Sequence, residues 1–552
     1  IQNSSGTITI GEKGGEVNTT VPEIKGKTYG VNSTTSGTVN FYDGVVKGIT
    51  GTFNGEITEI EPDYNVVKER DSEGYENGYL TRYVIAKIGD TEYYNLQSAI
   101  DAVSENNSTA VTIRIVRDNA VILSETTITN KKIILDLNGN ELDLFKPITN
   151  TEGSLEIIDS SEGKTGKITN SAKGTGSSNL ASTILNSGTL KLSAPISTKN
   201  TYSVGIENSG TLEVLSSGVI TLNETYSYGI YNQGTGIVTN TGTITSSKSS
   251  TYGIYNAEAG TITVTNVGTI TLTGSSSYGI YGKGTGIVTN AGTVTATGSS
   301  SDGIYSFGTT INEGTIIANY YGIHNQGTGT ATNTGTITVT GTSNIYGIYN
   351  TAGKVENKGT IEVKKTSGSS STKYAYGIYN ESANEIINNG KITVINQYSA
   401  YYAYGIYNKE KGSIKIGEKS NITSGYGVYN NAGTIEITGG EITVTPEYGI
   451  YNNTGTIEIT GGTITSTGST GIQNSSGTIT IGEKGGEVNT TVPEIKGARY
   501  GVNSTTSGTV NFYDGVVKGK TGAFNGTVTE LEPNYQILET TVDEYKCAKL
   551  LP

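Results

Sequence analysis

The sequence predicts an all-β protein: a parallel β-helix with three strands and about 24 residues per coil, led by a short N-terminal capping helix, its right hand following from the general preference of parallel crossovers and not from the spacing. Three observations predict it. The first is recurrence. Tyr-Gly-Ile-Tyr-Asn stands at 228–232, 252–256, 346–350, 376–380, 404–408 and 448–452, with close variants at 278–282, 321–325 and 426–430. From Gly205 to Gly471 eleven intervals cover 471 − 205 = 266 residues, about 24 each. The second is what fills each interval: short apolar alternations such as Gly229–Asn232, Gly236–Asn240 and Gly242–Thr245, divided by Gly, Asn and Ser. The third is composition. Gly is 77 of 552, Met and Trp are absent, and Tyr numbers 37 against 6 Phe. With 33% hydrophobic and 16% charged residues, a narrow aliphatic core under a wide polar skin fits better than a globular enzyme core or a disordered polyelectrolyte. An antiparallel sandwich array is the competing fold, but it needs longer strands and hairpin dipeptides, which are scarce.

Taken along the chain, residues 1–61 read as the last coils of a preceding module. Residues 1–64 recur at 472–535 with 8 substitutions, and Ile1–Gly26 equals Ile472–Gly497 without change. A duplication this close marks a large tandem module, and the sequence reads as a piece of a longer chain. Residues 62–92, with Arg70-Asp71-Ser-Glu-Gly-Tyr-Glu-Asn-Gly78, form a charged inter-module junction. Residues 93–110 hold the capping helix, with Asn95 as N-cap and Leu96, Ala99, Ile100 and Val103 on one face, placed to cover open strand edges. The module itself runs over 111–532. Residues 533–552 begin the next junction, where Tyr545–Leu550 echoes Tyr83–Ile88.

Within a coil, alternation fixes the faces. In Thr261–Thr265, Ile262 and Val264 point inward and the threonines outward. Parity places the motif asparagines on the side of the inward Ile. Asn232, Asn256, Asn325, Asn350, Asn380, Asn408, Asn430, Asn452 and Asn474 therefore read as a structural ladder of stacked amides, with a second file at Asn240, Asn266, Asn290 and Asn333. The motif tyrosines Tyr231, Tyr255, Tyr281, Tyr349, Tyr379, Tyr407, Tyr429 and Tyr451 should stack outward as a column, which stabilises the sheet or presents phenols to a partner. Two insertions, 364–375 and 397–403, bring Tyr374, Tyr398, Tyr401 and Tyr402 to one edge with Tyr320; these five are the candidate binding residues.

The stretch Gly89-Asp-Thr-Glu-Tyr-Tyr-Asn-Leu-Gln-Ser-Ala-Ile-Asp-Ala102, followed by Ile133-Ile-Leu-Asp-Leu-Asn-Gly139, resembles the start of right-handed β-helix domains in large surface proteins of Gram-positive bacteria. Their architecture is similar to the pectate-lyase-like superfamily, and the Gly-Ile-Tyr-Asn coils also resemble adhesin and autotransporter-passenger repeats. The resemblance implies secretion, surface attachment and adhesion.

That superfamily also holds polysaccharide lyases and hydrolases, which need positioned carboxylates and, in lyases, acidic Ca²⁺ ligands with a basic residue. Between 160 and 500 stand one Asp, Asp302, and one Arg, Arg499; Glu436 and Glu458 alternate with Ile and read as solvated outward charges. Asp136-Leu-Asn-Gly-Asn-Glu141 reads as a turn rather than a Ca²⁺ loop. Gly11–Glu16 lacks the Gly-Gly-x-Gly-x-Asp calcium repeat, and uneven coil lengths speak against a flat ice-binding array. One His and one Cys, His324 and Cys547, build neither a His metal cluster nor an internal disulfide, so no cofactor and no metal are expected. A net charge of −13 without a Lys/Arg cluster speaks against nucleic acid, and no apolar run reaches membrane-spanning length. The expectation is a non-enzymatic structural module of an extracellular bacterial surface fibre or stalk, with copies of itself as partners, in tandem or laterally. The alternative is an adhesin for glycans or host proteins through the tyrosine edge; a depolymerase is the outsider.

Overall fold

The structure is a computed structural model that describes residues 1–33, 37–61, 64–257, 263–366, 373–505 and 507–552. Among the described residues the chain is all-β apart from the helix Leu96–Asp101 and the one-turn 3₁₀ segment Ala400–Tyr402. It divides into two compact units, Ile1–Thr251 and Tyr252–Pro552.

In each unit the chain winds in three-strand coils, and each strand pairs in parallel with its counterpart in the next coil. Tyr228–Asn232, Ile237–Asn240 and Thr243–Ser246 make one such coil of the first unit. In the second unit Tyr252 pairs with Tyr278, Ile254 with Ile280 and Tyr255 with Tyr281, so like sits over like. The core is therefore a set of aliphatic stacks; Ile254, Ile280, Ile304 and Ile323 are all 0% exposed. Burying each Ile contributes roughly 2 kcal/mol, so the core's stabilisation accumulates coil by coil without any wide core. Val264 lies inside as alternation predicts, while Thr261 and Ile262 lie outside the described residues.

The motif glycine is the bend that sets the first strand. Pairing skips it, running Tyr346↔Tyr376, then Ile348↔Ile378. A Cβ at Gly347 would lie 2.3 Å from Ile361 Cγ2 and 2.5 Å from the Gly377 carbonyl oxygen, so only glycine fits. The bend also breaks strict alternation: Tyr and Ile-Tyr on either side both leave their phenols outward.

The capping helix is shorter than the sequence reading of 93–110. It spans Leu96–Asp101, with the Asn95 side chain accepting from the Ser98 N–H and Leu96, Ala99 and Ile100 buried. Past Ala102 the chain turns back, through Asn106 at φ 54°, to enter the first coil at Val111. The junction folds as a hairpin. Asn65–Arg70 and Glu76–Thr81 form an antiparallel hairpin, whose second strand pairs with Val45–Gly48. At the other end Gln536–Val542 and Tyr545–Leu551 form a hairpin pairing with Val516–Gly519. Tyr545 thus occupies the place of Tyr75, not of Tyr83 as identity suggested. Lys25 lies 4.1 Å from the Tyr75 ring centre, and Lys496, its copy, 4.3 Å from that of Tyr545.

Candidate functional site

The asparagines are buried inside the corner that follows the first strand. Asn350, Asn380, Asn408, Asn430, Asn452 and Asn474 are all 0% exposed. Each side-chain amide donates to the next Oδ1: Asn325 to Asn350 at 2.7 Å, Asn350 to Asn380 at 2.6 Å, Asn380 to Asn408 at 2.9 Å, and on through Asn430 and Asn452 to Asn474. The same Nδ2 groups also satisfy turn carbonyls, as Asn350 does at Gly353 O, 2.6 Å. In the first unit Asn186, Asn208 and Asn232 continue the pattern. Asn256 is likewise buried, but the file is interrupted at the next positions by Gly282 and Ser306. The second file runs Asn266, Asn290, Asn312, Asn333, Asn357 and Asn388. Asn312, Asn357 and Asn388 were not singled out from the sequence because they follow Ile, Glu and Ile rather than Thr. Within the file the amides are occupied by one another and by turn carbonyls, while Asn325 Oδ1 has no hydrogen-bond partner among the described residues.

The tyrosines form a wall. In the second unit the fourth-position rings stack face to face: Tyr255 on Tyr281 at 5.1 Å, Tyr349 on Tyr379 at 5.2 Å, Tyr379 on Tyr407 at 5.1 Å, Tyr429 on Tyr451 at 4.8 Å. The first-position tyrosines make a second column that parity missed. Tyr346 stacks on Tyr376 at 5.0 Å and Tyr376 on Tyr404 at 5.3 Å, while each meets its own fourth-position partner edge-on. Tyr346, Tyr376 and Tyr404 are themselves buried. Burial pushes the Tyr346 phenol up to about 12 and raises Tyr376 and Tyr404 further, so these three phenols are uncharged at neutral pH.

This geometry decides what the wall can contact. Within the stacked stretches neighbouring rings cover one another's faces, so the rings there present chiefly edges and hydroxyls. Tyr320 and Tyr374 join the wall: Tyr320 lies 4.1 Å from Tyr321, and Tyr374 stacks on Tyr376 at 5.8 Å. Tyr402 packs edge-on against Tyr374 at 5.1 Å. Tyr398 and Tyr401 stand apart, 51% and 55% exposed, on the turn Ala400–Tyr402 and the residues before it. The five candidates thus split three and two. Beneath Tyr398 lies the fully buried Lys365, its Nζ 5.9 Å from the ring centre and without a hydrogen-bond partner among the described residues. The insertion residues 367–372 lie outside the described residues.

Two neighbouring coils of the wall are irregular. Asp302 replaces Tyr in the first column and pairs with Tyr278, and His324 replaces Tyr in the second, pairing with Tyr305 and Tyr349. Asp302 is 4% exposed. Desolvation pushes its carboxyl up to about 8, against a hydrogen bond from the Tyr321 N–H, and desolvation lowers His324 to about 4.

Of the other carboxylates weighed for chemistry, Glu436 and Asp136 have partners. Glu436 and Glu458 sit over one another on the exposed face, with Lys415 3.6 Å from Glu436. Asp136 accepts from Asn138 N at 3.0 Å, Ser160 N at 2.9 Å and Ser160 Oγ at 2.6 Å, which holds its carboxyl below the usual range although burial opposes this. Asn138 and Gly139 beside it take φ 48° and 83°, a turn closed by the side chain. Among the described residues no group of three or more His, Cys, Asp or Glu could hold a metal ion, and no helix is long and apolar enough to cross a membrane. Two clefts of about 580 and 570 Å³ lie in the first unit, one beside residues 66–68 and one beside residues 59–61 and Tyr64, away from the tyrosine wall.

Residues 245–380, which are 136 of 552 and about a quarter of the chain, match the family model of the BigA third pectate lyase-like domain. No curated protein and no solved structure matches the chain. Over that quarter the sequence match and the coils agree: this part of the chain is similar to a pectate lyase-like β-helix domain.

Proposed function

We propose that the chain is a non-enzymatic structural module of an extracellular bacterial surface fibre or stalk, repeated in tandem, with no cofactor. The observation that carries this reading is the duplicated end. Residues 1–60 and 472–531 build the same coils and are followed by the same hairpin, held by Lys25 on Tyr75 and Lys496 on Tyr545. A chain that repeats a stack and its closing hairpin is suited to length rather than to a single catalytic cleft. The similarity to a BigA domain over 245–380 supports a surface setting. The deciding experiment incubates the purified chain with pectin, cell-wall glycan and mucin. No release of reducing or unsaturated sugar is expected, and release abolished by Glu436→Gln or Glu458→Gln would overturn the reading.

A second reading is favoured by one observation, the exposed rings of Tyr398 and Tyr401. Tyr398 and Tyr401 are 51% and 55% exposed, Tyr398 with Lys365 on one side of its ring, so glycan or host-protein binding is assigned to these two rather than to the stacked wall. Retention on a glycan array that is lost in the Tyr398→Ser/Tyr401→Ser variant would establish it.

A further inference from the structure

The two copies of the duplicated end are built alike but covered differently. Val66 pairs with Leu80 in the first hairpin and Ile537 with Leu550 in the second, and Leu80 and Leu550 are both buried. In the first copy Ile57 and Val66 are each 8% exposed, because Leu123 joins their cluster with Val121 and Phe145 packed against it. The strand Ala120–Ile122 lies against Asn65–Arg70 there. These covering residues belong to the opening coils of the module that follows. In the second copy the counterparts of Ile57 and Val66 are Val528 and Ile537, both only half-buried. On the opposite face of the same hairpin Leu538, Val542 and Leu551 are 41%, 54% and 44% exposed. Apolar side chains left half-covered at the end of a polar solenoid, where the equivalent pair of the first copy is covered, mark a contact surface.

We propose that this end face, centred on Val528 and Ile537, is a docking surface for the opening coil of a further module that continues the same chain. The inference rests on the tandem-module reading and names what covers its end. The occupant presents side chains of the Val121, Leu123 and Phe145 kind, because those fill the same place on the first copy. The apolar centre carries the contact. Its rim is not held constant, since Glu56 and Lys68 become Thr527 and Glu539 in the second copy.

The test extends the 552-residue chain after Leu551 with a second copy of residues 82–552, so that Arg82 follows as it follows Thr81. Hydrogen exchange is read on both chains. Protection of Gln536–Val542 is expected to rise on the order of tenfold in the extended chain, with the coils at 434–466 unchanged. Ile537→Asp in the extended chain should return that strand to the original rate. Equal exchange in the two chains overturns the proposal. So does concentration-dependent association of the 552-residue chain that Ile537→Asp abolishes, which would make a second copy the occupant. Should the extended chain fail to fold, Leu123→Asp in the original chain answers the same question. It should bring Asn65–Arg70 to the exchange rate of Gln536–Val542, and no change there means the covering residues are misidentified. Sugar release from polysaccharide would sink the structural reading without touching this one.

Discussion

At the scale of the residue, the ladder amides are the most exacting positions. Asn380 accepts from Asn350 and donates to Asn408 and the Ser382 carbonyl. Asn380→Ala leaves these buried groups unpaired at once, and unpaired buried polar groups cost about 1–3 kcal/mol each. A loss of about 2–4 kcal/mol is expected in denaturant unfolding. Asn380→Asp should fare little better, because a carboxylate cannot donate to Asn408 Oδ1. Asp302 and His324 give a pH signature. Asp302 rises from 3.8 to about 8 on folding, so the folded state holds the extra proton and stability falls as pH climbs through that window. His324 drops from 6.5 to about 4, so the unfolded state holds the extra proton and stability rises over that window. The two oppose one another up to pH 6.5, and Asp302 acts alone above it. The melting temperature should therefore decline between pH 6.5 and 8, and Asp302→Asn should flatten the decline. A profile unchanged in that variant would show that another group titrates.

At the scale of the element, the tyrosine strand separates wall from turn. Tyr398 and Tyr401 bury little, so their joint replacement by Ser should leave unfolding within about 0.5 kcal/mol of the parent. Tyr402→Ser removes the edge contact on Tyr374 and should cost about 1 kcal/mol. Tyr376→Ser, taken from a buried stack, should cost about 3–5 kcal/mol. Equal costs for Tyr401 and Tyr376 would refute the division. The sequence made the fourth-position column legible because its spacing repeats, and it made the asparagine file legible because Asn shares the parity of Ile. It hid the first-position column for one reason. Positions one and four of a strand point to opposite faces unless the chain bends between them, and the Gly347-type bend is set by Ile361 and Gly377 of other strands. The second hairpin was misaligned for a similar reason. Tyr545–Leu550 shares letters with Tyr83–Ile88, but its place is fixed by pairing to Val516–Gly519, where Ala548 stands for Gly78.

At the scale of the whole chain, the duplication makes a controlled comparison that single substitutions cannot. Phe41 and Phe512 are equivalent, both 0% exposed and each 5.4 Å from its neighbour, Phe53 or Phe524. Stacked coils contact only their neighbours, so a cavity in one coil is felt within a few coils and not along the chain. Phe41→Ala and Phe512→Ala should then each cost about 3–5 kcal/mol, read as local hydrogen exchange rather than as one melting temperature. Exchange should quicken around 29–48 in the first variant and 500–519 in the second, each leaving the other copy at its original rate. The two costs should differ in one respect. The first copy is covered by Leu123 and Phe145 and the second is not, so Phe41→Ala should open its hairpin less readily than Phe512→Ala opens Gln536–Leu551. Loss of protection at both copies from either substitution would mean that the chain unfolds as one cooperative body, and that nearest-neighbour coils are the wrong description of its stability.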